Sequence, residues 1–142
     1  MSGVDLKKTI LQILEKLKAV ETRELLWENQ HPDSAFSAQT VFIDSIRDFD
    51  YIEIEFSNYL RLARTTVKAF PDFSGNVEAV SASIGVDGER FWLNRRYFNI
   101  DSSGINFLSG GYKKQDDTKT IGDDECMVPL KIYGIRKIGN RA

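Results

Sequence analysis

The sequence predicts a mainly β protein, in which a short N-terminal coiled-coil helix precedes an antiparallel β domain of sandwich or jelly-roll-like architecture. Apolar residues recur at a helical period from Val4 to about Glu24, and at a period of two after that point. Turn-forming residues separate the later segments at short intervals, as they do in all-β folds. We therefore predict a helix within residues 1–25 and a β domain at residues 26–142.

The predicted helix carries a heptad pattern. Its apolar residues follow one another at alternating spacings of four and three, which is the pattern of a coiled-coil seam. The seam consists of Leu6, Ile10, Ile13, Leu17 and Val20. Three of these residues are β-branched, and such residues at seam positions favour three or more strands. We expect a homo-oligomer, with a trimer favoured. The alternative is an amphipathic helix that packs on its own β domain.

One strand of the β domain is especially clear, at residues 51–56. Its apolar residues Ile52, Ile54 and Phe56 are predicted to face the core, whereas Glu53 and Glu55 face water. Further strands are predicted at residues 36–43, 65–70, 77–86, 90–100, 105–108 and 126–138.

Two regions of the sequence allow more specific predictions. The strand at 77–86 alternates apolar and small polar residues, and its core-facing side is expected to consist of Val80, Ala82, Ile84 and Val86. Asp87-Gly88 is a two-residue turn signal that would join this strand to the next in a hairpin. Gly110-Gly111 is expected to open a charged loop that continues to Glu125.

Composition excludes several classes of protein. The chain has 142 residues, 42% of them hydrophobic, which fits one folded unit with a core. A net charge of −2 gives no basic excess, so we expect no nucleic-acid partner. No apolar run approaches the roughly 20 residues that a membrane span needs, so we expect no membrane partner. The single cysteine, Cys126, excludes an intrachain disulfide, as suits assembly in a reducing cytoplasm.

Motifs that carry chemistry are missing from the sequence. His31, the only histidine, lies in a turn without a nucleophile-elbow motif. One histidine and one cysteine cannot form a zinc site by themselves. Acidic residues are frequent at 116–125 but lack the spacing of an EF-hand, so calcium binding there stays an open alternative. We expect no enzyme, no catalytic residue and no cofactor.

One stretch, at residues 90–98, mixes aromatic and cationic side chains. Aromatic faces stack on sugar rings, and arginine recognises carboxylate or phosphate. The candidates for contact with a ligand or another subunit are Trp92, Arg95, Arg96 and Tyr97. Neither face of this strand is cleanly apolar, so a buried arginine would need a polar partner. We expect that partner to come from another subunit or from a ligand. The alternative is that these residues are ordinary core and surface side chains without a binding role.

Two segments carry a family resemblance. The first runs from Leu26-Trp27 through Pro32 and Phe36 to Ala38-Gln39-Thr40-Val41, and the second is Cys126-Met127-Val128-Pro129-Leu130-Lys131-Ile132-Tyr133-Gly134-Ile135-Arg136. With the strand at 51–56, these segments resemble small virion structural proteins, of head-fibre or tail-fibre-like type, from tailed phages and prophages of Gram-positive bacteria. The resemblance covers most of residues 26–138 and implies a structural role without catalytic residues. The heptad helix and the charged stretch at 113–124 depart from the pattern.

Three functional hypotheses follow. The first is a non-enzymatic virion component, a trimeric fibre or decoration protein that assembles in the host cytoplasm with other virion proteins. The second is a carbohydrate-binding module or receptor-binding protein that recognises host surface polysaccharide, with Trp92, Arg95 and Tyr97 as contacts. The third, a cell-wall hydrolase, is disfavoured because acid/base and metal-ligand motifs are missing. The sequence leaves open whether the protein belongs to the capsid or the tail.

Overall fold

The computed structural model describes residues 3–18, 20–59, 63–84 and 91–138, without the side chains of residues 17, 18 and 84. In these residues the chain forms one helix, a turn of 3-10 helix at Ile46–Asp48, and nine strands. Their bounds are α1 Gly3–Lys18, β1 Glu21–Glu28, β2 Gln39–Phe42, β3 Tyr51–Tyr59, β4 Arg64–Ala69, β5 Val77–Ile84, β6 Phe91–Asp101, β7 Gly104–Lys114, β8 Ile121–Gly122 and β9 Cys126–Lys137. No described helix combines the length and apolar character required to cross a membrane.

The strands form two antiparallel sheets. The first has the order β1-β9-β3-β4, and the second has the order β2-β7-β6-β5, with β8 paired to β7. The prediction of a mainly β protein with a short N-terminal helix is therefore confirmed. The arrangement is consistent with a β-sandwich, because side chains from both sheets share one hydrophobic core.

Aromatic rings from both sheets meet in this core. Phe56 of β3 lies 6.1 Å from Phe98 of β6 and 6.2 Å from Phe107 of β7, measured between ring centroids. Ile52, Ile54 and Phe56 are fully buried, so the predicted core face of β3 is confirmed. Glu53 and Glu55 lie on the opposite face but are less exposed than expected, because basic side chains of neighbouring strands form ion pairs with them.

Strand pairing defines two ends of the sheets. Glu21 pairs with Lys137, and Tyr51 with Ile135, so the end at which α1 enters also holds the start of β3. β4 ends there too, because Ala69 pairs with Ile52. The short connections 43–50 and 70–76 bring the end of β2 and the start of β5 to the same end. We call this the helix-proximal end, and the opposite one the helix-distal end.

The predicted extent of the helix is wrong. α1 stops at Lys18 rather than near Glu24, and Glu21 already belongs to β1. The predicted division after residue 25 therefore falls inside a strand. The physical reason is that residues 21–28 find main-chain partners along β9, and sheet pairing overrides local helix propensity.

The predicted core face of β5 is also wrong. Ala79 is fully buried, whereas Val80 and Ala82 are exposed. Ser81 and Ser83 are directed inward, where the Ser81 hydroxyl donates to Met127 Sδ at 3.2 Å and Ser83 accepts from Asn94 at 3.2 Å. Polar groups of the interior thus replace the expected apolar alternation. The side chain of Ile84, Val86 and the predicted Asp87-Gly88 turn lie outside the described residues.

The predicted start of the charged loop is wrong as well. β7 does not end near Leu108 but continues to Lys114. Gly110 and Gly111 pair with Arg96 and Arg95 of β6, so they lie within the sheet. Glycine pairs are typical of turns, but here they lie inside a strand where neighbouring groups leave no room for a β-carbon.

Candidate functional site

The first candidate site is the apolar face of α1. Its seam residues Leu6, Ile10 and Ile13 leave between 49% and 53% of their surface exposed. Leu11 and Leu14 widen this face and are exposed to a similar degree. Every described side chain of α1 is exposed, and the helix does not pack on either sheet. An apolar helical face that its own domain leaves uncovered is typical of an interaction surface.

The other two predicted seam residues differ from these three. Leu17 lies in the last turn of α1, and its side chain is outside the described part of the structure. Val20 lies beyond the helix, and its carbonyl oxygen accepts a hydrogen bond from the amide of Ile138 at 2.9 Å. Val20 therefore does not continue the helical seam as predicted. The chain leaves the helix before this residue in order to pair with the last strand.

The length of α1 sets a physical requirement. The helix has 16 residues, which corresponds to roughly 24 Å at 1.5 Å per residue. Isolated helices of about this length are marginal in water, since little packing offsets the cost of nucleation. Such a helix gains stability when its apolar face is covered.

The second candidate site is a concavity on the outer face of the second sheet. Its volume is about 290 Å³, and Arg96 lies beneath it. The other lining residues are Arg95, Tyr97, Ser109, Gly110, Gly111 and Thr120. Arg95 and Tyr97 alternate with buried residues along β6, so both point away from the core. We call this concavity the Arg95 site.

Arg95 is held in place by three neighbours. Its guanidinium forms an ion pair with Glu78 and donates to the Tyr97 hydroxyl at 2.8 Å and the Thr120 hydroxyl at 3.1 Å. The hydrogen bond to Glu78 is the main cause that raises the pKa of Arg95. The site therefore offers a fixed positive charge, a carboxylate and several hydroxyl groups. Such groups suit the recognition of a polyol or sugar.

Glycine occupies two positions beside the Arg95 site where a side chain would not fit. A β-carbon on Gly111 would lie 2.8 Å from Thr120 Cγ2 and 2.9 Å from the Ile121 carbonyl oxygen. A β-carbon on Gly110 would lie 2.7 Å from a nitrogen of the Arg96 guanidinium. Both positions thus exclude a side chain: Gly111 on the outer face, opposite Arg95, and Gly110 on the inner face, opposite Arg96.

The structure does not bring all four predicted contact residues together. Trp92 lies on the opposite face of β6 from Arg95 and Tyr97, in the direction of the helix-distal end. Its ring stacks on Tyr112 at 5.2 Å between centroids, and Lys114 Nζ lies 4.8 Å from the ring centroid. A single ligand in the Arg95 site would therefore not use Trp92.

The Arg96 side chain is held inside the protein by main-chain groups. It is fully buried and donates to the carbonyl oxygens of Met127 at 2.7 Å and Leu108 at 2.7 Å. It also donates to the carbonyl oxygens of Asp124 at 3.1 Å and Cys126 at 3.0 Å. The expectation that a buried arginine would take its partner from another subunit or a ligand is wrong. All four partners are main-chain groups of the same chain.

The acidic stretch at 116–125 uses carboxylates to shape its own loop. Asp117 accepts from the amide of Lys114 at 3.1 Å, and Asp124 accepts from the amide of Gly110 at 3.0 Å. Within the described ranges, no three histidine, cysteine or acidic residues are grouped so that they could hold a metal ion. This part of the chain therefore shows no preformed set of ligands for calcium.

His31 and Cys126 are the residues on which nucleophilic catalysis would depend. His31 is exposed in the connection between β1 and β2. Cys126 is fully buried, and burial raises the pKa of its thiol to about 12, with a further increase from Asp123. A reactive cysteine requires the opposite shift, because the thiolate is the nucleophile.

Sequence reasoning did not select three residues of the Arg95 site. Glu78 and Ser109 reach Arg95 or its concavity only through the pairing of β5, β6 and β7, and Thr120 only through the pairing of β8 with β7. Thr120 is separated from Arg95 by 25 residues, so no local pattern links them. The one available signal in the sequence was the alternation of residues along β6, which places Arg95 and Tyr97 on the same face.

Comparison with known proteins does not assign this chain to a family. A scan against protein-family models and a search of curated proteins both find no match to this chain.

Proposed function

We propose that the protein is a non-enzymatic component of a phage virion, a fibre or decoration protein of the head or tail, and that it forms a homotrimer. In this proposal α1 forms a parallel coiled coil with α1 of other copies. The β domain, a sandwich or jelly-roll-like head, is displayed by that stalk. The single observation that carries oligomerisation is the exposed apolar face of α1. The virion class rests on the resemblance of residues 26–138.

The position of α1 supports display. The helix leads directly into β1 at the helix-proximal end of the sheets. Parallel association of α1 would gather these ends of the protomers at the stalk, and the helix-distal ends would face outward. Such an arrangement separates an assembly region from a surface that can meet other virion proteins or the host.

Solution mass tests oligomerisation. Light scattering coupled to size exclusion should give a multiple of the 16.2 kDa chain, with three favoured. Ile10→Asp combined with Ile13→Asp should yield monomers, because each copy would bring charges into an apolar contact. Lys8→Asp combined with Gln12→Asp is the matched control, since both residues lie off the seam. A wild-type monomer at micromolar concentration would contradict the proposal.

The virion class is tested separately. Antibodies against the β domain should label phage particles from the host strain in immunogold electron microscopy. Label on the capsid or on the tail would also settle where the protein is attached. Purified particles that carry none of the protein would exclude a virion role, whatever the oligomeric state.

A second candidate function is binding of host surface polysaccharide at the Arg95 site. The hydroxyl-lined concavity beside a fixed arginine favours it. Thr120→Ala should then weaken sedimentation of the protein with purified host cell-wall polysaccharide and leave the melting temperature nearly unchanged. Thr118→Ala, in the same exposed loop, is the control. Equal sedimentation of wild type and Thr120→Ala would exclude this site.

A further inference from the structure

Three phenylalanine side chains are far more exposed than such rings usually are in a folded domain. Phe42 leaves 76% of its surface exposed, Phe70 63% and Phe73 51%. Scattered apolar residues on a surface are normal, but large rings grouped at one end of a domain indicate an interaction site.

All three rings lie at the helix-proximal end. Phe42 is the last residue of β2, and Phe70 and Phe73 lie in the 70–76 connection. β2 is one edge of the second sheet, and β5, which follows the connection, is the other edge. Phe42 and the Phe70–Phe73 pair are therefore on opposite sides of the same end of the domain.

The Phe70–Phe73 turn is well defined. The amide of Phe73 donates to the carbonyl oxygen of Phe70 at 3.1 Å. Gly75 has a φ of +140°, and a β-carbon there would lie 3.3 Å from Phe73 Cε1, so the ring lies against the glycine. A turn whose main chain is fixed and whose Phe73 ring rests on a glycine loses little conformational freedom on binding.

The helix alone offers little area for a stable assembly. α1 presents to a neighbouring helix a strip roughly 24 Å long and 10 Å wide, an area on the order of 250 Å². Stable interfaces bury roughly 800 Å² on each partner. The three exposed rings, at roughly 200 Å² each when fully accessible, offer about 400 Å² more per chain, divided between the contacts with its two neighbours. They lie where parallel helices would bring the protomers together.

We propose that a second copy of this chain covers these rings: Phe42 of one protomer packs against Phe70 and Phe73 of the next. The contact is heterologous, since it joins two different surfaces, and it closes into a ring around the α1 bundle. Patches on two different sides of one end let each protomer contact two neighbours, and the parallel α1 bundle sets the rotation that closes the ring. This inference rests on the proposed oligomerisation through α1 and adds the contact that stabilises it.

Dilution series measure the contribution of the rings. Phe42→Ser, and separately Phe70→Ser with Phe73→Ser, should raise the concentration at which the oligomer dissociates by at least tenfold in analytical ultracentrifugation. Phe91→Ser is the matched control, because Phe91 is also exposed but starts β6 at the helix-distal end. Circular dichroism checks that each variant keeps its β structure.

Cross-linking tests which surfaces meet. A short bismaleimide should link Phe42→Cys protein to Phe73→Cys protein in a mixture, while each variant alone stays uncross-linked. Cys126 is buried and should not react. Links within the Phe42→Cys sample alone would overturn the heterologous contact. An unlinked mixture and unchanged dissociation would overturn the inference, even where the Ile10→Asp/Ile13→Asp variant is monomeric. A monomeric wild type would overturn both this inference and the proposed oligomer.

Discussion

The guanidinium of Arg96 donates from Nε to the carbonyl oxygen of Met127 at 2.7 Å, and Met127 is held at a φ of +48°. A positive φ is unfavourable for a residue with a side chain, so the surroundings must stabilise it. Arg96 also bonds the carbonyl of Cys126, and together these contacts tie β6 to the start of β9. A buried cation thus organises the junction between the two sheets.

Loss of Arg96 should destabilise the domain strongly. Arg96→Met removes a donor from four carbonyl oxygens. The bonds to Met127 and Cys126 are fully buried, and each buried group left unsatisfied costs about 1–3 kcal/mol. We expect a loss of about 3 kcal/mol or more in the free energy of unfolding, measured by urea denaturation. Arg95→Met, one residue away on the outer face, should cost less than about 1 kcal/mol. Equal losses would show that Arg96 has no special structural role.

The core prediction compares two positions on opposite faces of β3. Phe56 is fully buried between rings of the second sheet, so Phe56→Ala should cost about 3–5 kcal/mol. Glu53 lies on the outer face, and Glu53→Gln should stay within about 0.5 kcal/mol, because its ion pairs are partly exposed. The denaturant midpoints of the two variants, compared with that of the wild type, measure the two losses. Similar losses at both positions would contradict the observed facing of this strand.

Alkaline pH should reduce stability through two tyrosines. The hydroxyl of Tyr51 donates to Glu21 at 2.6 Å, and this hydrogen bond raises the pKa of Tyr51 to about 12. Tyr59 is bonded to Glu125 and also has a pKa raised to about 12. An unfolded tyrosine titrates near about 10. The stabilisation is therefore complete below about pH 10 and is lost as pH rises through about 12.

The measurement is the free energy of unfolding between pH 8 and pH 12. Tyr51→Phe should flatten its alkaline decline, and the double variant with Tyr59→Phe should flatten it further. Comparison with wild type at each pH cancels the titration of other groups. A double variant with the wild-type slope would show that neither hydrogen bond controls the decline.

Cys126 should resist thiol reagents in the folded protein. Burial raises its pKa to about 12, so little thiolate is present at neutral pH and little of the sulfur is accessible. Reaction with a disulfide reagent should be on the order of 100-fold slower than in urea. Rapid labelling of the native protein would mean that the start of β9 opens frequently.

Local patterns in the sequence predicted several elements correctly. The helical period of α1, the alternation in β3 and the closing strand β9 depend on residues that are neighbours along the chain. Three of the predicted seam residues are exposed on α1, whereas Val20 does not belong to the helix. What could not be predicted is where such elements find their partners.

Periodicity and turn residues were enough to predict a mainly β chain with a short amphipathic helix, because both are local properties. Contacts between distant segments, by contrast, make residues 21–28 a strand, turn serines to the inner face of β5, and let Arg96 bond four carbonyl groups of its own chain. Each of these depends on sheet register between distant segments. A shift of one residue in that register exchanges the buried and exposed faces, and no pattern within a single strand sets it.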